Sequence, residues 1–260
     1  MKRVITAVVL TAACVQGAAV AGAASASAAP GTAAASASAS ARRGAAYSPV
    51  DFSPKANFTW VRPERDPDGA KGTYFPHGPV GSVTLGGIPF NIRSNAAGFQ
   101  AWNGYEASGG GVGTVSITTP VNIYGATDVY TLINTYWGTS SGSYTALVFT
   151  GSGGAKYTDH LVEGSDIRDW CCVGSIKGTS TINVYSVAHS PINEARGFLD
   201  MQHIVLPPVF ATQTLTSIKV VDSGATGLQR TVLDGVTVQS SPINSPGAVG
   251  LWGARSLRAL

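Results

Sequence analysis

Cysteine is nearly absent from this chain, which has three cysteines among 260 residues. One of them, Cys14, lies in an apolar N-terminal stretch, so the rest of the chain has only the adjacent pair Cys171-Cys172. The sequence contains no Cys-x-x-Cys motif and no Cys/His spacing of a zinc site. These absences argue against a dithiol redox enzyme and against a small domain held together by several disulfides.

Charged side chains are also scarce, at 12% of the residues against about 25% in ordinary soluble domains. The chain has 17 basic and 14 acidic side chains, and a leader over residues 1–28 would remove only Lys2 and Arg3 from them. The remaining net charge is about +1. Because no basic stripe is present, we expect no nucleic-acid partner.

Helical periodicity is missing as well, since no segment keeps apolar residues at helical spacing for three turns. Alternating β-branched and aromatic runs recur instead, separated by Gly-, Ser- and Asn-rich turns. The predicted strands lie at 83–85, 88–92, 112–117, 121–124, 128–137, 143–150, 181–188, 202–206, 215–222 and 231–239. This spacing predicts an all-β fold, a single β-sandwich of the jelly-roll type. The 128–137 run is apolar on both faces, which indicates a sheet covered on both sides.

The N-terminus has the pattern of an export signal. Met1-Lys2-Arg3 precedes an apolar stretch over 4–20, and small-x-small sites follow at 24–26 and 26–28. We therefore expect a signal peptide over 1–28, an Ala/Ser-rich linker or pro-segment over 29–46, and the sandwich over 47–260. The mature protein is then secreted and extracellular, with no membrane attachment after cleavage.

Three segments resemble secreted β-sandwich domains of the galactose-binding-like, carbohydrate-binding-module type. They are the run through Gly86-Gly87-Ile88-Pro89-Phe90, the strand that ends Asn134-Thr135-Tyr136-Trp137-Gly138, and the closing pair of strands at 215–218 and 233–238. The resemblance covers most of residues 80–240 in strand rhythm. It implies ligand binding at loop tips and, in some members, a structural calcium ion.

The segment from 157 to 174 is predicted to be a loop and has the densest group of ionisable and aromatic residues. Sugar binding needs an aromatic face for stacking and polar groups for the hydroxyls, and a second aromatic motif occurs at 102–105. The candidate ligand-binding residues are Asp166, Arg168, Asp169, Trp170, Trp102 and Tyr105. The alternative is that Trp170 packs in the core and Arg168 pairs with a carboxylate. Trp60 and Trp137 are expected in the core, since large aromatics dominate cores.

The adjacent cysteines predict a vicinal disulfide if the chain is exported. Neighbouring Cα atoms are about 3.8 Å apart, whereas relaxed disulfides prefer about 4.4–6.8 Å, so the bridge would stiffen a tight turn. A redox-active pair and an intermolecular disulfide are the alternatives. A mature mass lower by two hydrogens than the reduced form would demonstrate the intramolecular bridge.

The carboxylates of the same segment leave two further roles open. Asp159, Glu163, Asp166 and Asp169 offer oxygen ligands for calcium, and Glu163 with Asp166 or Asp169 would suit a glycosidase or lyase. No Gly-x-Ser-x-Gly or His-x-x-x-His motif is present. We therefore expect a secreted, non-catalytic protein that binds a polysaccharide or glycoconjugate. A secreted hydrolase and a structural or protein-partner module are the alternatives.

Overall fold

Two antiparallel sheets form the body of the domain in a computed structural model, which describes residues 45–60, 64–65, 71–72, 78–95, 98–111, 113–171, 176–187, 197–224 and 229–241. The strands are β1 Ala46–Pro49, β2 Phe58–Thr59, β3 Glu64–Arg65, β4 Lys71–Gly72, β5 Gly81–Leu85, β6 Ile88–Ile92, β7 Ser94–Asn95, β8 Gly98–Asn103, β9 Val115–Tyr124, β10 Ala126–Tyr136, β11 Thr145–Gly151, β12 Lys156–Leu161, β13 Thr181–Val187, β14 Gly197–Val205, β15 Thr214–Asp222 and β16 Arg230–Ser240. One short α-helix, α1 Gly104–Ser108, and two 3-10 helices, Ser53–Lys55 and Pro208–Thr212, complete the elements.

The larger sheet has eight strands in the order β13-β14-β10-β16-β8-β2, with β1 added on β16 and β7 on β8. The smaller sheet has four strands in the order β12-β11-β15-β9, and β3-β4 and β5-β6 form separate hairpins. All of the strand pairs in these sheets and hairpins are antiparallel. The predicted all-β sandwich is confirmed.

The first hydrophobic core lies between the two sheets. The smaller sheet contributes buried residues such as Leu147, Phe149 and Ile218, and the larger sheet contributes Val129 and Ile133 among others. These side chains recur at every second position of their strands, because alternate residues of a strand point to the same face. The alternation seen in the sequence thus corresponds to the buried face of each sheet.

A second core covers the opposite, outer face of the larger sheet. Here Leu132 and Tyr136 of β10 pack with Phe90 of the β5–β6 hairpin and with Trp60. The hairpin turns at two glycines, both at positive φ, as a two-residue turn between twisted strands requires. Gly86 lies against side chains of the β13–β14 pair. The central strands are therefore buried on both faces, as the apolar 128–137 run predicted.

Several strand predictions need correction. Residues 115–117 and 121–124, predicted as parts of two strands, lie in one strand, β9, which contains Pro120. The proline is tolerated because β9 is an edge strand and its register with β15 shifts at that point. Residues 157–161, expected to belong to a loop, lie in the edge strand β12. Strand β14 ends at Val205, and a 3-10 helix begins at Pro208.

None of the helices in the described ranges is long and apolar enough to cross a membrane.

Candidate functional site

The segment from Val162 to Cys171 returns alongside the end of strand β10. Thr135 donates its N–H to the carbonyl of Arg168 at 2.8 Å, and Trp170 donates its N–H to the carbonyl of Thr135 at 2.9 Å. A parallel bridge between Thr135 and Asp169 results. The backbone of this segment is therefore fixed against the larger sheet.

Arg168 lies in a buried polar network rather than on a binding surface. Its guanidinium donates to both carboxylate oxygens of Asp200, at 2.7 and 2.8 Å, and lies 3.9 Å from the centre of the Phe198 ring. Asn134 and Asn183 donate side-chain amides to the same carboxylate at 2.9 and 3.1 Å. Arg168 thus pairs with a carboxylate, as the alternative to ligand binding predicted.

Trp170 is buried in the second core. Its ring centroid lies 5.3 Å from that of Trp60 and 6.0 Å from that of Tyr136. Trp60 is fully buried, as predicted. Because other aromatic rings enclose Trp170, a sugar cannot stack on its face. Trp170 therefore packs in the core, as the alternative to ligand binding predicted.

The aromatic motif at 102–105 does not form an exposed platform. Trp102 is buried in the core between the sheets, which makes the expectation of an exposed indole wrong. Asn103 caps helix α1 by accepting the N–H of Tyr105 at 2.8 Å. Tyr105 is half-buried and its hydroxyl lies against Gly110. Strand β8 continues through Trp102 before the helix begins, and this explains why the indole points inward.

Asp166 and Asp169 are half-buried carboxylates that hold backbone turns. Asp166 accepts the N–H of Val162 at 3.0 Å and the hydroxyl of Ser165 at 3.4 Å. Asp169 accepts the N–H of Gly138 at 2.8 Å and that of Cys171 at 3.1 Å. Asp169 thus braces the turn that follows β10.

Glu163 is the most perturbed carboxyl of the segment, with 2% of its surface exposed. Gln229 donates to one of its oxygens at 3.0 Å, and the hydroxyl of Thr135 donates to the other at 3.4 Å. Burial raises the pKa of Glu163 to about 8, the charge of Asp169 adds to the rise, and these hydrogen bonds partly offset it. Burial thus favours the protonated form of Glu163, and the charge of Asp169 acts in the same direction.

The first carboxylate of the predicted cluster lies on a strand rather than in a loop. Asp159 lies on β12, and burial, followed by the charge of Asp166, raises its pKa, while His160 lowers it. No group of three or more His, Cys, Asp or Glu residues that could hold a metal ion occurs among the residues described. The four carboxylates therefore do not combine into a calcium site there.

Trp137 is the exposed aromatic residue of this region, although it was expected in the core. Its side chain is 41% exposed, and its backbone has a positive φ of 55°. If the alternation of side chains along β10 continued, Trp137 would face the core between the two sheets, as Ile133 does. Strand β10 ends at Tyr136, however, and the left-handed residue that follows turns the indole outward. The sequence signal that was available is the Gly138 that follows it, typical of a turn.

We call Trp137, Gly138, Glu163 and Asp169 together the Trp137 site. Gly138 is packed so closely on Thr135 and on the backbone of Asp169 that a side chain there would collide with both. The loop of Glu163 is tied to the loop after Trp137 by the N–H of Glu163, which donates to the carbonyl of Gly142 at 2.8 Å. An exposed indole thus precedes a residue that the Asp169 carboxylate holds in place, and the Glu163 segment is bound to the same loop.

Cys171 is buried at the end of the same segment. Cys172 lies outside the described residues, so the vicinal disulfide stays a prediction.

The chain was compared with protein-family models and with curated proteins, and neither comparison gives a match.

Proposed function

We propose that this chain is an exported domain that binds carbohydrate through the Trp137 site. The observation that carries the proposal is the exposure of a large indole on a backbone conformation that disfavours it. Positive φ is unusual for a bulky residue, and such strain persists where the surrounding structure imposes it, often at ligand-binding positions. At Trp137 the imposing contact is the hydrogen bond from the Gly138 N–H to the Asp169 carboxylate.

The surroundings of the indole suit a polyhydroxylated ligand. Thr139 is half-buried and Ser140 is exposed in the turn that follows Trp137, and Asp169 is half-buried at its base. Sugars combine apolar ring faces with hydroxyls that both donate and accept hydrogen bonds. One exposed aromatic side chain, followed by a turn with hydroxyl groups that a carboxylate holds, matches that combination. The site also needs little ordering on binding, because its turn is already fixed, and this limits the entropic cost.

Replacing Trp137 with glycine is expected to weaken polysaccharide binding by about 10- to 100-fold, equivalent to about 1.4–2.8 kcal/mol. Glycine adopts positive φ without strain, and this relief should offset part of the packing that is lost with the covered part of the indole. Affinity electrophoresis of the mature chain in gels containing soluble β-glucan, xylan or galactomannan measures the binding, and urea unfolding measures the stability.

Trp137→Phe is the conservative variant and should retain most of the binding, since it keeps an aromatic face. Val209→Ala is the matched control because Val209 is exposed at a distant 3-10 helix. Equal retardation of Trp137→Gly and wild type would contradict the proposal. The proposal would also be contradicted if no gel retarded the wild-type chain. In that case, capture of one specific protein would support a partner-binding module instead.

A second candidate function is hydrolysis, and the raised pKa of Glu163 favours it. A buried acid that keeps its proton beside an ionised carboxylate is the arrangement of a general acid and its partner in glycosidases. Glu163 would be the acid and Asp169 the base or nucleophile, whereas Asp166 is engaged in its turn.

Glu163→Gln separates these two functions. If the domain only binds, wild type releases no reducing ends from the polysaccharides that it retains, and Glu163→Gln binds as wild type does. Turnover by wild type that disappears in Glu163→Gln, and that in wild type falls above pH about 8 as Glu163 loses its proton, would establish the hydrolase instead.

A further inference from the structure

We infer that the outer face of the larger sheet has a second carbohydrate-contact surface, separate from the Trp137 site. It consists of Tyr47, Asp128, Tyr130, His203 and Gln239, which we call the strand-face patch. The inference rests on the proposed carbohydrate-binding function and adds a second place of contact. Nothing in the sequence segment around 157–174 points to it.

The strand register places these five residues side by side. Tyr130 of β10 is opposite His203 of β14, Asp128 of β10 is opposite Gln239 of β16, and Gln239 is opposite Tyr47 of β1. Adjacent strands lie about 4.8 Å apart, so the row from β14 to β1 extends for roughly 14 Å across four strands. This length accommodates more than one sugar ring.

The patch lies on the same face as the second core but next to the part that the β5–β6 hairpin covers. On β10, Leu132 packs in that core, whereas Asp128 and Tyr130, at the strand's other end, are half-buried. The hairpin reaches as far as Thr237, whose hydroxyl donates to the carbonyl of Pro89 at 2.5 Å. Beyond it, the His203 side chain is 39% exposed. The face therefore changes from a covered apolar surface to an accessible polar one.

The polar atoms of the patch are held in a defined arrangement by contacts among its own members. His203 and Tyr130 stack with ring centroids 4.6 Å apart and planes within 5°. A ring nitrogen of His203 lies 2.8 Å from a carboxylate oxygen of Asp128, and the hydroxyl of Tyr130 donates to Gln239 at 3.1 Å. Tyr47 lies against Tyr130 with centroids 6.2 Å apart. These pairs fix the side chains before a ligand arrives, which reduces the entropic cost of binding.

The chemistry of the patch fits a neutral, polyhydroxylated chain. The contacts within the patch use only part of its hydrogen-bonding capacity, because the imidazole of His203 has a second nitrogen, the carboxylate of Asp128 has a second oxygen, and the amide of Gln239 has two N–H donors. The one carboxylate of the patch, that of Asp128, is paired with the imidazole of His203, and the five residues include no lysine or arginine to attract an acidic polymer. A neutral glycan strand lying across β14, β10, β16 and β1 matches both the length and the mixed donor and acceptor character.

The test is the stoichiometry and affinity of binding, measured by titration calorimetry with laminarihexaose, cellohexaose and xylohexaose. Wild type should bind its preferred hexasaccharide at two sites per chain, and His203→Ala and Tyr130→Ala should each retain one. Trp137→Gly should also retain one, and the double variant with His203→Ala none. Affinity at the altered site should fall by about tenfold or more.

His203→Ala is the safer variant for folding, because its side chain is substantially exposed. Tyr157→Ala is the matched control: it removes a half-buried ring that stacks on Phe149 in the smaller sheet, and it should retain both sites.

The alternative outcomes separate the two proposals. Wild-type stoichiometry and affinity in both His203→Ala and Tyr130→Ala would overturn the strand-face patch. Complete loss of binding in Trp137→Gly alone would also overturn the patch but leave the Trp137 site standing. Loss only in the patch variants would overturn the Trp137 site and support the patch, and no binding of any hexasaccharide to wild type would overturn both.

Discussion

Asp200→Ala should lower the unfolding free energy by about 3–5 kcal/mol, because it leaves a buried guanidinium without its partner. Asp200 is fully buried, and Arg168 donates to both of its oxygens. The carboxylate also accepts the amides of Asn134 and Asn183, so its removal costs each of these side chains one hydrogen bond. Breaking such a network costs the desolvation of every group that loses its partner. Urea unfolding followed by tryptophan fluorescence measures the loss.

The matched control for this prediction is Asp128→Ala. It breaks a pair with His203 of similar length, 2.8 Å, in which the imidazole is well exposed. Exposed pairs contribute little, and the expected loss is below about 1 kcal/mol. A double variant that replaces Arg168 and Asp200 with Met and Leu should recover much of the stability, since apolar residues of similar volume leave no unpaired charge. Equal losses in Asp200→Ala and Asp128→Ala would refute the structural role of the network.

Asp234→Asn is expected to raise the unfolding free energy at pH 8 by an amount on the order of a few kcal/mol. Asp234 is the extra residue where the β10–β16 register shifts, and it is fully buried. One carboxyl oxygen accepts the indole N–H of Trp60, while the other has no hydrogen-bond partner among the residues that the structure describes. Burial raises the pKa of Asp234 from 3.8 to about 8, and the bond from Trp60 offsets only part of that rise.

The direction of the pH effect follows from these pKa values. Between pH 3.8 and about 8 the folded chain keeps the Asp234 proton that the unfolded chain has lost. The stabilisation that this group contributes is complete below pH 3.8 and decreases as the pH rises through that window. Asparagine keeps an oxygen for Trp60 and never ionises. The variant should therefore match wild type near pH 4 and exceed it progressively up to pH 8, in urea unfolding repeated at each pH. A constant difference over this range would contradict the buried, protonated state.

The sandwich could be predicted from the sequence because its signals are local. Alternation over 128–137 predicted a strand buried on both faces, and Gly86-Gly87 between two short apolar runs predicted the hairpin that covers it. The edge strand β12 was missed since its residues alternate between exposed and half-buried, and Asp159 and His160 within it are typical of loops.

The sites depend on where individual strands end, and this could not be read from the pattern. Trp137 was predicted to lie in the core because large aromatics dominate cores, but it follows the last residue of β10 and its positive φ turns it outward. Trp170 was predicted to bind a ligand because polar residues precede it in the sequence. Those residues, however, form hydrogen bonds with Asp200 and with backbone groups. The strand-face patch combines four strands that are distant in sequence, so only the register could reveal it.

The most direct test of carbohydrate binding at Trp137 is its indole N–H signal in nitrogen–proton correlation spectra during titration with a hexasaccharide that the domain retains. The chain has five tryptophans, and the Trp137 signal is identified by its absence in Trp137→Phe. The signal of Trp137 should shift in proportion to saturation, whereas that of the fully buried Trp60 should stay in place. A saturated domain with an unmoved Trp137 signal would contradict the assignment of this residue as the sugar platform.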